Sequence, residues 1–325
     1  MGVNHNGSLL LAKKYIRECS RLKVDYVKFQ FAIPDLVATS YVESAKYQKK
    51  NLKDNKSQLD LIKKIHLKPN QYLSLIKYAK SFNIKILFSF FDSTSLKVLL
   101  DNKVSAIKIP SGEINNFFLL SHLKNFKGKI FLSTGMSNLN EVIKIYNFLL
   151  KLNIRKKNIC VMQCTSNYPT RHLNLNLNVI SNFKKIFGNN IGFSDHTITT
   201  EASLVAIGIG AVCIEKHITF DRSASGPDHK ASMSLLDFKK FVIQIRNAEL
   251  SFGSSIKKIN SSEISNKILV RKVIVAKTNI RKGEIFSYDN LDVKRAGVGL
   301  EPIEINNLIG KKSKKNYIID EKIKR

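Results

Sequence analysis

Between residue 24 and about residue 219 the chain alternates short runs rich in Val, Ile and Phe with longer stretches of helical spacing. The short runs are "VDYVKFQ", "IKILFSFF", "VSAIKIPS", "KIFLSTG", "ICVMQCTS", "IGFSDH" and "VCIEKHIT", seven strand candidates. Between them lie helical patterns such as "LNEVIKIYNFLLKL" and "LNLNVISNFKKIF". Strands alternating with helices imply a parallel sheet with helical crossovers. The chain opens "MGVNHNG", where Asn4, His5, Asn6 and Gly7 suit a strand end or turn with almost no strand ahead of them. If "MGV" is the remnant of a first strand, the count becomes eight, which predicts a (β/α)8 TIM barrel over residues 1–250 with its first strand cut short.

The polar residues supply an independent check on that prediction. In nearly every unit, chemically active side chains follow the apolar strand at its C-terminal end: Lys28 and Gln30; Ser89 and Asp92; Lys108, Ser111 and Glu113; Ser133 and Thr134. Further on come Thr165, Ser166 and Tyr168, then Ser194, Asp195 and His196, then Glu215 and His217. Barrel enzymes keep their active sites on that face.

After a helix ending near Leu250, "SFGSSIKKINSSE" lacks apolar periodicity and reads as a linker over 251–267. Beyond it, "KVIVAKTNIRKGEIFSYDNLDVKRAGVG" has short strands separated by turn signals, the pattern of a compact β-rich module over 268–325. Such a module is too small to house the main chemistry and is better placed to cover it.

Composition changes this picture little. The longest apolar stretch, "ASLVAIGIGAVCI", is broken by glycines and falls short of the roughly 20 residues that span a bilayer, so no membrane association is expected. The start lacks a secretory leader, and four cysteines (Cys19, Cys160, Cys164, Cys213) without a CxxC pair read as reduced core thiols, so a cytoplasmic location is expected. The formal charge of +29 invites a nucleic-acid reading, but the lysines are spread everywhere and no basic helix, RNP-like aromatic motif or zinc-finger spacing accompanies them. Specific nucleic-acid binding is not expected, only nonspecific affinity for polyanions. "GIGAV" precedes a strand where a dinucleotide fingerprint must follow one, and no Walker motif, GxSxG elbow or HExxH is present.

Three constellations carry candidate chemistry. His196 and His217 end adjacent strand candidates, which puts two imidazoles side by side, either as a divalent-metal site or as two independently hydrogen-bonded histidines. Lys28 and Lys108 lie within buried strands, which is costly unless an anion meets them. With Ser111, Ser133 and Ser194 at equivalent heights they form a phosphate or carboxylate cradle, against the alternative of snorkelling lysines and capping serines. The loop "FDRSASGPDHKASM" carries Asp228, which could orient or deprotonate a hydroxylated substrate or simply sit in a Pro-Asp turn.

The motifs "GVNHNGS", "VKFQ", "KYQKKN", "IKIPSGEINN", "LSTGMS", "YPT", "IGFSDHT", "EKHIT" and "SGPDHKAS", in this order, resemble the bacterial N-acetylneuraminate (sialic acid) synthase family. The terminal "AKTNIRKGEIFSYDNLDVKRAGVG" resembles that family's antifreeze-like (SAF) domain. The resemblance implies condensation of phosphoenolpyruvate with an N-acylated amino sugar, typically N-acetylmannosamine, giving a nonulosonic acid and phosphate with Mn2+ or Mg2+. By resemblance, Lys28, Ser89, Lys108, Ser111, Ser133, Ser166 and Ser194 hold phosphoenolpyruvate. His196 and His217 match the metal ligands, and Gln30, Glu113, Tyr168 and Asp228 match the sugar side. Glu113 and Asp228 are the candidates to handle protons or steady the cation at C2, and Arg295 matches an arginine that reaches the N-acyl group from the partner of a domain-exchanged homodimer. Two departures stand out: Gln163 occupies a position where relatives often have His, and the Ala-Glu-x-Gly-type strand that precedes "NHNG" in relatives, with its active-site Glu, would end just before Met1.

Within that resemblance, N-acetylneuraminate synthesis is the leading expectation and legionaminic or pseudaminic acid synthesis the alternative. A Schiff-base aldolase using Lys28 or Lys108, and a noncatalytic carbohydrate- or polyanion-binding protein, are readings of other kinds.

Overall fold

The computed structural model describes residues 1–39 and 57–324, so the "KYQKKN" stretch lies outside the described residues. Seven strands form one parallel sheet in chain order: β1 (Tyr26–Phe31), β2 (Lys85–Phe90), β3 (Ala106–Ile109), β4 (Lys129–Ser133), β5 (Ile159–Cys164), β6 (Ile191–Asp195) and β7 (Cys213–Lys216). Helices such as Leu9–Arg21, Pro69–Ser81, Leu139–Lys151 and Val179–Phe187 fill the crossovers. Their ends are set locally: Asn138 and Glu141 form a reciprocal capping box, and the Asp92 carboxylate accepts from the backbone of Ser95 at 2.7 Å.

Strand alternation divides the sheet into two faces. Val27, Phe29 and Phe31 of β1 pack with Tyr15, Tyr72 and Leu75 of the helices in the main apolar core. The opposite face carries a smaller cluster of Leu87, Ala106, Phe131, Cys160 and Met162, flanked by Tyr26 and Cys213. Beyond that layer, toward the C-terminal strand ends, the same face turns polar. The register aligns Gln30 with Ser89, Ser89 with Lys108, Cys164 with Ser194, and Ser194 with Glu215. One-residue slips would reverse both faces at once, so the pattern of the strands fixes which side chains line the interior.

The architecture is the barrel type predicted, with one difference. Among the described residues the sheet holds seven strands, and Met1–Val3 contribute a single parallel bridge, Gly2 to Phe29, plus the Met1 amino group donating to Lys28 O at 3.2 Å. Gly2 adopts a φ of +57°, which turns the backbone off an extended path, and Asn4, Asn6 and Ser8 then close turns onto Met1, Val3 and His5. A cavity of about 500 Å³ lies along the seam from β1 to β7, bounded by Tyr26, Lys28, Phe131, Met162, Cys213 and Glu215 among others.

Two short strands, β8 (Ile218–Thr219) and β9 (Met233–Ser234), pair in parallel and bracket the loop 220–232. Asn4 donates to Ile218 O at 2.9 Å and to Ser232 Oγ at 2.8 Å, and Asn6 donates to Ser225 O at 2.8 Å. The opening turn therefore braces the loop that carries Asp228.

The chain divides into two compact units, Met1–Phe252 and Gly253–Arg325. Within the second, β10 (Val273–Ala276) pairs antiparallel with β11 (Leu291–Lys294) over a core of Ile274, Ile280, Phe286, Leu291, Tyr317 and Ile323. A helix, Ile264–Val270, runs from the stretch read as a linker, 251–267, into the start of the stretch read as the β-rich module. Among the described residues no helix is long and apolar enough to cross a membrane.

Candidate active site

The polar layer of the inner face is built around charge. Lys108 on β3, only 2% exposed, donates to Glu215 Oε2 at 3.0 Å and lies 3.2 Å from Met162 Sδ. Lys28 on β1 approaches Glu215 Oε1 at 3.7 Å, and Ser194 on β6 donates to the same oxygen at 2.9 Å. Burial opposes the Glu215 charge, but Lys108 and Lys28 outweigh it and hold the carboxyl well below its ordinary range. Lys28 is lowered, first by burial and then by Lys108, with Glu215 pulling the other way. One carboxylate thus serves two ammoniums, leaving positive charge in a low-dielectric interior.

Hydroxyls border this charge. Ser89 and Ser133 are buried on the neighbouring strands, and Ser111 Oγ accepts from Gly135 N at 3.0 Å. A methyl placed on Gly135 would collide with Ser166 Oγ and would come within 2.9 Å of Ser111 Oγ, so the glycine keeps a close gap between two hydroxyls. Cys164, its Sγ 3.8 Å from Ser111 Oγ and 3.9 Å from His196 Nδ1, also faces this layer. Burial raises its thiol, but His196 and Lys108 outweigh that and bring it down to about 7.

His196 Nδ1 lies 2.8 Å from Thr165 O, a group that can only accept, so this nitrogen carries a hydrogen, while Nε2 lies 3.4 Å from Ser194 Oγ. Burial lowers the ring, but Cys164 and Thr165 O outweigh it and raise His196 above its ordinary value. The His217 ring is 5.4 Å away, centroid to centroid, and its buried Nδ1 has no hydrogen-bond partner, with Asp228 Oδ2 at 3.7 Å. Burial, then His196 and Lys28, push His217 well below its ordinary range and keep it neutral. Tyr168 packs on both rings, at 4.1 Å from His196 and 5.8 Å from His217. A Cβ built on Gly2 would lie 3.1 Å from Asp228 Oδ2, 3.3 Å from His217 Cε1 and 3.5 Å from Gln30 Nε2, which places those three side chains around one point. Among the described residues no group of three or more His, Cys, Asp or Glu side chains is arranged for a metal ion. His217, kept neutral and with an orphaned nitrogen, and the neighbouring His196 ring do fit a cation held by two protein ligands with open positions, once His196 gives up any proton on Nε2.

Glu113 follows β3 in a short turn; burial raises its carboxyl, partly offset by the hydrogen bond that Asn116 donates at 2.7 Å. Asp228 is likewise raised by burial, against the pull of Lys28. The first unit contains all the candidates except Arg295, which belongs to the second unit. Two groups at this site carried no assigned role in the sequence pattern. Glu215 was visible as a strand-end carboxylate, but its partners stand 107 and 187 positions away in the chain. Cys164 looked like an ordinary core thiol, although strand alternation puts it on the face that Ser194 shares.

Residues 15–257 match the NeuB family, and residues 271–323 match the SAF domain. The N,N'-diacetyllegionaminic acid synthase of Campylobacter jejuni subsp. jejuni serotype O:2 is 41% identical over 99% of this chain and 97% of its own. The enzyme of the same name from Legionella pneumophila is 36% identical over 97% of this chain and 89% of its own. Among solved structures, the N-acetylneuraminic acid (sialic acid) synthetase of Leptospira borgpetersenii serovar Hardjo-bovis in complex with citrate superimposes with a TM-score of 0.69 at 27% identity, covering 82% of this chain and 87% of that one.

Proposed function

Because the chain belongs to the NeuB family, synthases that join phosphoenolpyruvate to an amino sugar to make nonulosonic acids, we propose that its product is N,N'-diacetyllegionaminic acid. The leading expectation from sequence, N-acetylneuraminate, gives way here to the alternative. The observation that carries the choice is the 41% identity to a synthase of that name along nearly the whole of both chains. A nine-carbon product whose first three carbons come from phosphoenolpyruvate requires a six-carbon acceptor, and two acetyl groups on the product require a di-N-acetylated one.

The geometry supports a division of labour. Lys28 and Lys108 bind the phosphoryl and carboxylate groups of phosphoenolpyruvate, with Ser89, Ser111, Ser133, Ser166 and Ser194 donating around them. His196 and His217 would hold a divalent cation, Mn2+ or Mg2+, which supplies Lewis acidity toward the sugar aldehyde. Gln30 and Tyr168 orient the acceptor beside the histidines. C3 of the enol phosphate bonds to the aldehyde carbon, water adds to C2, and phosphate leaves. Glu113 and Asp228, both raised by burial, suit proton transfer at these steps. Arg295 of a second copy would meet the acyl group in a domain-exchanged homodimer, a role tested by mixing inactive Arg295→Ala and Glu113→Gln chains and looking for regained turnover.

The decisive experiment compares kcat/KM for a di-N-acetylated hexosamine and for N-acetylmannosamine, with phosphoenolpyruvate and Mn2+ present. The first should be preferred at least tenfold. Equal or better use of N-acetylmannosamine would overturn the reading, and a borohydride-trapped pyruvate adduct on Lys28 or Lys108 would overturn the synthase chemistry altogether.

A further inference from the structure

Glu215 has no part in the steps above, yet its carboxylate meets both lysines that would hold the phosphoryl group. Lys108 has that carboxylate as its one strong acceptor among the described residues, its other partner being the thioether of Met162, a weak one. The hydroxyl of Ser194 steadies Glu215 from the opposite side at 2.9 Å. Glu215 on β7 and Ser194 on β6 stand in direct register, so the carboxylate is rooted on the same inward face as the hydroxyl.

We propose that Glu215 is a resident counter-anion: it occupies Lys28 and Lys108 when the site is empty, yields them to the phosphoryl group, and by its persisting repulsion lets inorganic phosphate leave after turnover. The proposal rests on reading the lysine pair as the phosphoenolpyruvate site. Its physical content is a limit on affinity. Two buried ammoniums without a competing carboxylate would hold a phosphate dianion tightly, and a product that is not released stops the cycle. Glu215 keeps the lysines extended and paired before substrate arrives, and it makes the phosphate complex less favourable than the lysines alone would allow. A purely structural carboxylate, there only to neutralise the lysines, would predict the reverse, because its loss would let the ammoniums splay and weaken phosphate binding.

The test is calorimetric titration of the full chain with inorganic phosphate, which needs no turnover. Glu215→Gln keeps the shape and removes the charge: its amide oxygen still accepts from Lys108, and its NH2 donates to Ser194 Oγ in place of the hydrogen bond the carboxylate accepted there. Its phosphate Kd should fall about tenfold or more below wild type, given the strength of like-charge repulsion at short range in a protein interior. Its KM for phosphoenolpyruvate should fall together with kcat, since release slows. Glu215→Asp, which draws the charge back by one methylene, should fold as wild type does and bind phosphate with an affinity between the other two. If either variant binds phosphate no better than wild type, or if KM rises, the counter-anion role is overturned. If wild type binds no phosphate at millimolar concentration, it is the reading of the lysines as the phosphoryl site that fails, a result distinct from equal affinities across the series.

Discussion

Glu215 and Lys216, adjacent on β7, enter buried ion pairs on opposite faces of the sheet, and these are built differently. On the helix side Lys216 donates to Asp195 Oδ2 at 2.8 Å, to Thr197 Oγ1 at 3.1 Å and to Thr199 O at 2.8 Å, while Asp195 also accepts from Ser203 Oγ and Thr197 N. The charges match one to one and the hydrogen-bonding capacity of both partners is used. On the barrel side Glu215 faces two lysines, one of them beyond hydrogen-bonding distance. A finished pair holds a structure together, whereas an unbalanced one keeps capacity in reserve, which on the proposed reading is for an anion. Because Asp195 and Lys216 each precede a histidine of the site, the finished pair also fixes the spacing of His196 and His217.

The contrast predicts opposite consequences for the same substitution on the two faces. If Lys108 meets the substrate anion as proposed, Lys108→Met should lower kcat/KM by about a thousandfold or more, since a buried charge partner is worth several kcal/mol. Its folding stability should move by only about 1 kcal/mol, because Glu215 is then matched by Lys28 alone. Paired denaturant melts and initial rates check both halves; a large stability loss would erase the distinction drawn here. Lys216→Met, by contrast, strands Asp195 in a fully buried position and should cost about 3–5 kcal/mol of stability. A variant as stable as wild type would show that the hydrogen bonds from Ser203 and Thr197 suffice without the cation.

A third kind of buried group, uncharged by necessity, sharpens the comparison through pH. Burial, with a contribution from His66, pushes His5 down to about 3, and burial pushes His66 down to about 4. Each is lower in the folded chain than its ordinary value near 6.5, so below that pH the unfolded chain takes up protons that the folded chain refuses. Stability should therefore be flat above about pH 7 and fall by about 2 kcal/mol per histidine by pH 5, a drop that continues until the folded-state values are reached. Urea midpoints at pH 7 and 5 measure this, and the drop should shrink in His5→Gln. No change with pH would mean that these imidazoles open to water before they titrate.

The smallest effect expected is at Gly135. Gly135→Ala puts a methyl between Ser111 and Ser166, so the KM for phosphoenolpyruvate should rise about tenfold, the size of one lost or misdirected hydrogen bond to a charged group. The melting temperature should scarcely change. An unaltered KM would place the substrate anion away from this gap.

Much of this site was legible in the sequence because a strand's two-residue period sorts side chains to faces without any knowledge of partners. Lysines at 28 and 108 within apolar runs, and hydroxyls at 89, 133 and 194, had to point inward once Phe29, Phe88 and Ile107 were packed against helices. What was not legible depends on distance across the fold. Glu215 acquires its meaning only when β1 and β3 are brought to it, and Cys164 only when Ser111 and His196 are. The turn at Asn4–Gly7 was legible from its residues, but the bracing of the 220–232 loop by Asn4 and Asn6 was not, since it arises from contacts more than two hundred residues apart. The helix Ile264–Val270 escaped notice because its large apolar residues, Ile264, Ile268 and Leu269, stay exposed in the chain and show no half-buried period.

The seam from β1 to β7 has a dynamic consequence. Among the described residues β7 has ladder partners along one edge only, in β6, and the far edge of β1 has just the bridge at Gly2 and the Met1 amine, so their outward amides lack the ladder partners that protect β3, β4 and β5 on both sides. In deuterated water those outward amides should exchange orders of magnitude faster than the amides of the central strands, and the fastest line across the sheet should run beside Lys28 and Glu215. The groups that would grip the phosphoryl anion thus stand at the part of the sheet that opens most readily, so ligand binding should register first as slowed exchange along this seam.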